Sequence, residues 1–139
     1  MTALLTIVLL PVMLVVLATT LELGALRIVA ARAHSAADLA ALVAVNDQDD
    51  AELAETGRLR PSSDAADVAR AVFADNLRSI EGSLAAAPAA IAAGAAVSIE
   101  LVPATVRIST TVPVRTPVFG ALFFQPVTDV AIRTAGGAR

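Results

Sequence analysis

The chain of 139 residues contains no cysteine, no tryptophan, no tyrosine and no lysine. Without cysteine, neither disulfide staples nor thiolate metal sites are available. With aromatics at 3%, a core has to be built by packing Ala, Val, Leu and Ile closely. The one histidine, His34, has no partner at catalytic spacing, so no Ser/His/Asp or Cys/His nucleophile arrangement can be assembled. Neither a G-x-x-x-x-G-K-[ST] loop nor a G-x-G-x-x-G turn occurs. A net charge of −3 and a pI near 5.0 argue against nucleic acid as a partner, because that recognition needs a basic face. Every basic residue is Arg, which together with the excess of Ala reads as codon or lineage bias. The sequence is thus read as that of a protein with no enzymatic activity and no cofactor.

What the sequence does have is an uncharged apolar run, Met1 to Leu21, MTALLTIVLLPVMLVVLATTL. At roughly 1.5 Å per residue a helix of that length spans about 30 Å, the hydrocarbon thickness of a bilayer. A secretory signal peptide would carry a basic n-region and a shorter apolar stretch. Here no basic residue precedes Arg27, so a retained helix is expected. Pro11 lies in mid-run, where it removes one backbone hydrogen bond. It reads either as a simple kink or as a place where the helix melts when packed against other subunits. Glu22 ends the apolar run. A bare carboxylate in hydrocarbon is costly, so Glu22 reads either as the headgroup boundary or as a partner for an Arg of a neighbouring chain.

Residues 23–45 continue the helix with strong helix formers and no Pro. Leu26, Val29, Ala33, Ala36, Ala40 and Val43 recur at helical spacing. The expected spine covers residues 1–45, roughly 65–70 Å at the standard rise, apolar all round in its first half and amphipathic in its second. On it, His34 reads as a surface or partner-facing residue rather than a metal ligand. Asp38 reads as a solvated carboxylate first and a packing determinant second.

Residues 46–63 are a polar connection punctuated by Gly57, Pro61, Ser62 and Ser63, with room for one short helical turn in its acidic part. Asp47, Asp49 and Asp50 do not meet the spacing of a calcium loop. A small head is expected over residues 64–139. Its helix, 64–84, is capped by Ser62, Ser63 or Asp64 and carries a stripe of Val68, Val72, Leu77, Ile80 and Leu84, with Phe73 beside it. Residues 85–96 read as a loop with room for a helical turn. The period then changes to two, predicting half-buried strands near 97–102, 105–112 and 127–134. Short connections favour antiparallel neighbours, so the fold class is α+β with a three-stranded sheet. Between the last two strands, RTPVFGALFFQP holds Phe119, Phe123 and Phe124. It reads as a loop tucking its rings under the sheet, or as an apolar patch meeting a membrane or partner. The tail from Ala135 reads as frayed.

The run from Leu9 to Asn46 resembles TadE/TadG-like proteins, the pilin-like components of tight-adherence (Flp) pilus systems. The features that carry the resemblance are an apolar helix with Pro11, the acidic-then-Gly step at Glu22 to Gly24, basic Arg27 and Arg32, and the Ala-Ala-Asp-x-Ala-Ala-Leu string from Ala36 to Leu42. The Val-Pro-Val step at Val112 to Val114 also looks like that family's tail. The resemblance implies a pilin-like fold and a structural role: a helix that anchors the subunit in the membrane, then packs in a filament. Ala18, Gly24 and Ala30 would permit close helix contact. It also implies other pilin-like subunits and the pilus assembly machinery as partners, and the cell membrane and an extracellular pilus as locations.

In such proteins a processing Gly precedes the helix and a Glu commonly falls six residues before the Pro. Counting from Pro11 puts that Gly before Met1, as if a prepilin peptidase had removed a leader; the other reading makes Met1 the initiator. The Glu position falls on Leu5. That Glu is thought to neutralise the neighbouring subunit's amino terminus, and tip or initiating subunits also lack it. The resemblance therefore implies a minor or tip component first. A repeating pilin, and a single-pass envelope-anchored accessory or binding protein, are the alternatives. Arg27 and Arg32 would by themselves favour a cytoplasmic side for the following residues, a conflict that a basic leader would resolve.

Overall fold

The computed structural model describes residues 2–57, 60–101 and 103–137, with side chains of the first helix described from Ile7 onward. Helix α1, Thr2–Asn46, runs for 45 residues and passes through Pro11 without interruption. Its composition explains its length, since Ala and Leu lead the helix formers and no glycine lies in its second half. Helices α2 (Asp50–Thr56), α3 (Ala65–Leu77) and α4 (Pro88–Ala93) follow. Strands β1 (Ala96–Leu101) and β2 (Ala104–Arg115), helix α5 (Pro117–Phe123) and strand β3 (Val127–Gly137) complete the order. The three strands form one antiparallel sheet in the order β1-β2-β3. The fold is α+β and pilin-like: a long N-terminal helix with a helical and three-stranded head against its C-terminal half.

The core lies where α1 and α3 meet the inner face of the sheet. On α1, Val29, Ala33, Ala36, Ala37, Ala40, Ala41, Ala44 and Val45 are buried. On the sheet the alternation of β2 buries Val106, Ile108, Val112 and Val114, joined by Ile132 of β3. Register places Val106 opposite Ile99 and Gly136, and Thr110 opposite Ile132. Because the α1 face is mostly Ala, backbones approach closely. The closest approach is at Gly136, where a Cβ would stand 2.8 Å from the carbonyl carbon and oxygen of Ala41. Asp38 adds a polar tie across the same seam, accepting a hydrogen bond from the Thr134 hydroxyl.

Several local expectations are corrected. The connection 46–63 contains a seven-residue helix, α2, capped by the Asp49 side chain on the N–H groups of Ala51 and Glu52 and closed by Gly57 at φ 67°. The strand-like contact of Gln48 with Pro61, and the ion pair of Arg60 with Glu52 at 2.8 Å, brace it. Asp64 is the N-cap of α3, but neither its side chain nor Ser62 or Ser63 caps the helix; Ser62 donates to Asp47 instead. The buried stripe of α3 is Ala65, Ala69, Phe73 and Leu77, with Val68 and Val72 half-buried. Small residues at the first two of these positions let α3 lie close to α1, which turns Phe73 into the core. From Arg78 to Ser83 the helix tightens to a 3-10 form that buries Ile80. Within 85–96 the helical turn is a six-residue helix, α4, started by Pro88.

The sheet also extends beyond the predicted bounds. β2 continues through Pro113 to Arg115, because β1 pairs with it only as far as Ser109. Past that point β2 meets Leu84 and Ala85 on that side, where the Ala85 N–H donates to the Pro113 carbonyl at 2.9 Å, and this irregular contact tolerates the missing N–H of Pro113. β3 runs to Gly137, with Ala135, Gly136 and Gly137 paired to Arg107, Val106 and Thr105, so these residues are not frayed.

Candidate functional site

The first half of α1 is largely uncovered, and the head reaches it only around Leu14 to Glu22 among the described residues. Ile7, Leu10, Leu14 and Leu17 are each more than half exposed. Among the described residues this is the one helix long and apolar enough to cross a membrane. Among the described side chains of this half, the hydroxyls of Thr19 and Thr20 each donate at 2.8 Å to the carbonyl four residues back, on Val15 and Val16. Hydroxyls bonded within their own helix suit surroundings without water.

Where this half meets the head, Glu22 is only 8% exposed. Its Oε1 accepts the backbone N–H of Val118 at 2.8 Å and its Oε2 that of Phe119 at 2.6 Å. These are the second and third residues of α5. The helix starts at Pro117, which has no N–H and a preset φ, and its N-cap residue is Thr116. The Thr116 hydroxyl does not cap; it donates to the Gln125 carbonyl at 2.9 Å and lies 3.3 Å from the Thr128 hydroxyl. Glu22 therefore does the work of an N-cap from another helix. The free N–H groups of a helix start need such an acceptor, and a charged acceptor strengthens both bonds.

The far end of α5 turns on Phe124, at φ 57°, whose N–H returns to the Phe119 carbonyl. Gly120 fits tightly beside it, since a Cβ there would stand 3.0 Å from Pro126 Cα. Phe119 is half-buried and meets Phe123 edge-on, with ring centroids 6.0 Å apart. Phe123 is 59% exposed and Phe124 89%. The rings are not tucked under the sheet: α5 is held against α1 and directs Phe123 and Phe124 outward. A cavity of about 400 Å³ lies between spine and head, bordered by Ala18, Leu21, Glu22, Ala25, Val114 and Pro117.

The structure thus brings together Ala18, Glu22, Phe119 and Phe123, which the sequence offered as separate candidates. Both oxygens of Glu22 have partners within the chain. Pro11, Gly24, Arg27 and Arg32 are exposed, and Ala30 half-buried, along the spine. A Cβ on Gly24 would meet nothing within 4 Å. Among the described residues neither Arg27 nor Arg32 forms an ion pair, and no cluster of side chains suited to a metal is found. Met1 and the side chain of Leu5 lie outside the described residues. Sequence reasoning missed α5 itself. The available signal was Thr116-Pro117, a cap-type residue followed by Pro at the first helical position.

Residues 1–47 match the family model described as "Putative Flp pilus-assembly TadE/G-like". The match coincides with α1 and stops where that helix stops. The TadE/G-like segment is therefore the spine, and the head, with the Val-Pro-Val step of β2, lies outside it. No curated protein and no solved structure matches the chain. A TadE/G-like spine whose apolar half is largely uncovered supports a pilus-related protein and points to membrane anchoring.

Proposed function

We propose that the chain is a pilin-like subunit of a Tad/Flp-type pilus, present as a minor or tip component and assembled through its N-terminal helix. Before assembly the apolar half of α1 is solvated by lipid. Afterwards it packs against the helices of other pilin-like subunits, with Ala18, Gly24 and Ala30 allowing close approach. The observation that carries this reading is the bare apolar helix within the TadE/G-like match: more than half of each of Ile7, Leu10, Leu14 and Leu17 is uncovered.

Glu22 favours the minor or tip role over that of a repeating pilin. The resemblance places Leu5 where a repeating subunit has a Glu, and Glu22 is the remaining carboxylate of the apolar half. With both of its oxygens bound by α5, it is not free to take over pairing with a neighbouring subunit. The assembly machinery and other pilin-like chains are the partners of this reading.

The test is to quantify the chain in sheared pili and to count pili in a strain lacking it. A minor component is expected at a small fraction of the main pilin, with pilus number reduced on deletion. Many copies in helical symmetry would establish a repeating pilin instead. Unchanged pili, with the chain confined to membranes, would establish an envelope-anchored accessory protein.

A further inference from the structure

We propose that α5 is a membrane foot, lying beside α1 among the acyl chains of the leaflet nearest the head, with Phe123 and Phe124 as its inserted side chains. The inference rests on the spine entering a bilayer, not on the chain entering a pilus.

The first support is level. Helix α5 borders Leu14, Val15 and Ala18, through Pro117, Val118, Ala121 and Leu122. Leu14 is a full two turns nearer the N-terminus than Glu22, roughly 12 Å at the standard rise. If the uncharged run of α1 occupies the hydrocarbon, α5 lies inside its upper boundary. The head does not merely stand on the membrane; one of its helices reaches down beside the span.

The second support is chemistry. Residues 116–128 contain no charged side chain, and the first charges on either side are Arg115 and Asp129. Leu122, Phe123, Phe124 and Val127 are all exposed. The N–H groups at both ends of α5 are nevertheless satisfied within the chain. Glu22 takes the N–H groups of Val118 and Phe119, and the N–H groups of Phe124 and Gln125 return to the Phe119 carbonyl. A short helix in a water-poor region needs this kind of internal satisfaction.

The third support is independent of both. Phe124 holds a left-handed backbone conformation, a position that Gly or Asn takes with less strain. Its ring is 89% exposed and packs on no core. An aromatic side chain kept at a strained, uncovered position is used by something outside the chain. Acyl chains continuous with those around α1 fit that position, apolarity and depth.

Because the chain has no Trp or Tyr, one introduced Trp reports alone. The full chain is reconstituted in phosphatidylcholine–phosphatidylglycerol vesicles with bromines on the acyl chains. F124W, with F123W as a second reporter, is compared with M13W in the span and R107W on the outer sheet face. The proposal expects F124W and F123W emission to be quenched at least twofold by shallow acyl bromines, with R107W unaffected and open to aqueous iodide. Quenched M13W with iodide-accessible F124W and F123W would overturn the foot while leaving the span intact. Unquenched M13W would overturn the bilayer reading on which the foot rests. Shielding of F124W that rises with protein density rather than bromine content would assign the rings to a second copy and also overturn the proposal.

Discussion

The carboxylate of Glu22 accepts the backbone N–H of Phe119 at 2.6 Å, from 97 residues earlier in the chain. This bond, with its twin to Val118, joins the end of the apolar run to the helix carrying the exposed rings. Removing it should release α5 while leaving the rest of the head folded. Glu22→Ala strands two N–H groups, and a hydrogen bond to a charged acceptor is worth about 1.5–3 kcal/mol. The expected result is a loss of that order in detergent-solubilised unfolding, with Glu22→Gln losing less. Hydrogen exchange should locate the change at the amides of Val118 and Phe119. Unchanged protection of those two amides would contradict the cap.

Gly136→Ala puts a methyl group into the backbone of Ala41. Overpacking of this kind costs about 1–3 kcal/mol, and it should pull the end of β3 away from α1. The contrast is Gly24, where added atoms meet nothing in the chain. Gly24→Leu should leave thermal unfolding of the head within about 1 kcal/mol of the parent, the scale of helix propensity. The same substitution should reduce recovery of the chain in sheared pili if a neighbouring helix passes there. Thermal melts of the two variants, set beside pilus incorporation, separate the internal contact from the external one.

How much of this was legible in the sequence depends on the range of the interaction. The spine could be read because Met1 to Leu21 is uncharged and Leu26 to Ala40 keep a helical period. The strands could be read because Val106, Ile108 and Val112 alternate. Apart from the local Thr116-Pro117 signal of α5, what was misread depended on a distant partner. Residues 117–123 lack a side-chain cap of their own, and nothing local reveals that Glu22 supplies one. Pro113 looks like a stop until β1 ends short and the distant Leu84 and Ala85 meet that part of β2 instead. Phe73 looks like a flank until the Ala faces of α1 and α3 close on each other. Gly136 looks like a loose tail until Ala41 lies beside it.

Phe124 gives a prediction of opposite sign. Asn tolerates the left-handed conformation better than Phe, and relief of that strain is worth up to about 1 kcal/mol. Since the ring packs on no core, Phe124→Asn should leave the detergent-solubilised head as stable as the parent or slightly more so. Chemical denaturation checks this directly. A clear loss of stability would mean that the ring supports the fold rather than serving a surface outside it.

The most direct measurement places a photo-crosslinking side chain at Leu17, an exposed position within the apolar half of α1, in cells that make pili. After illumination, pili are sheared and separated from membranes. The account predicts a covalent adduct between this chain and another pilin-like subunit in the pilus fraction, and no such adduct in cells blocked for assembly. Absence of the chain from sheared pili, with Leu17 joined only to membrane components, would contradict it.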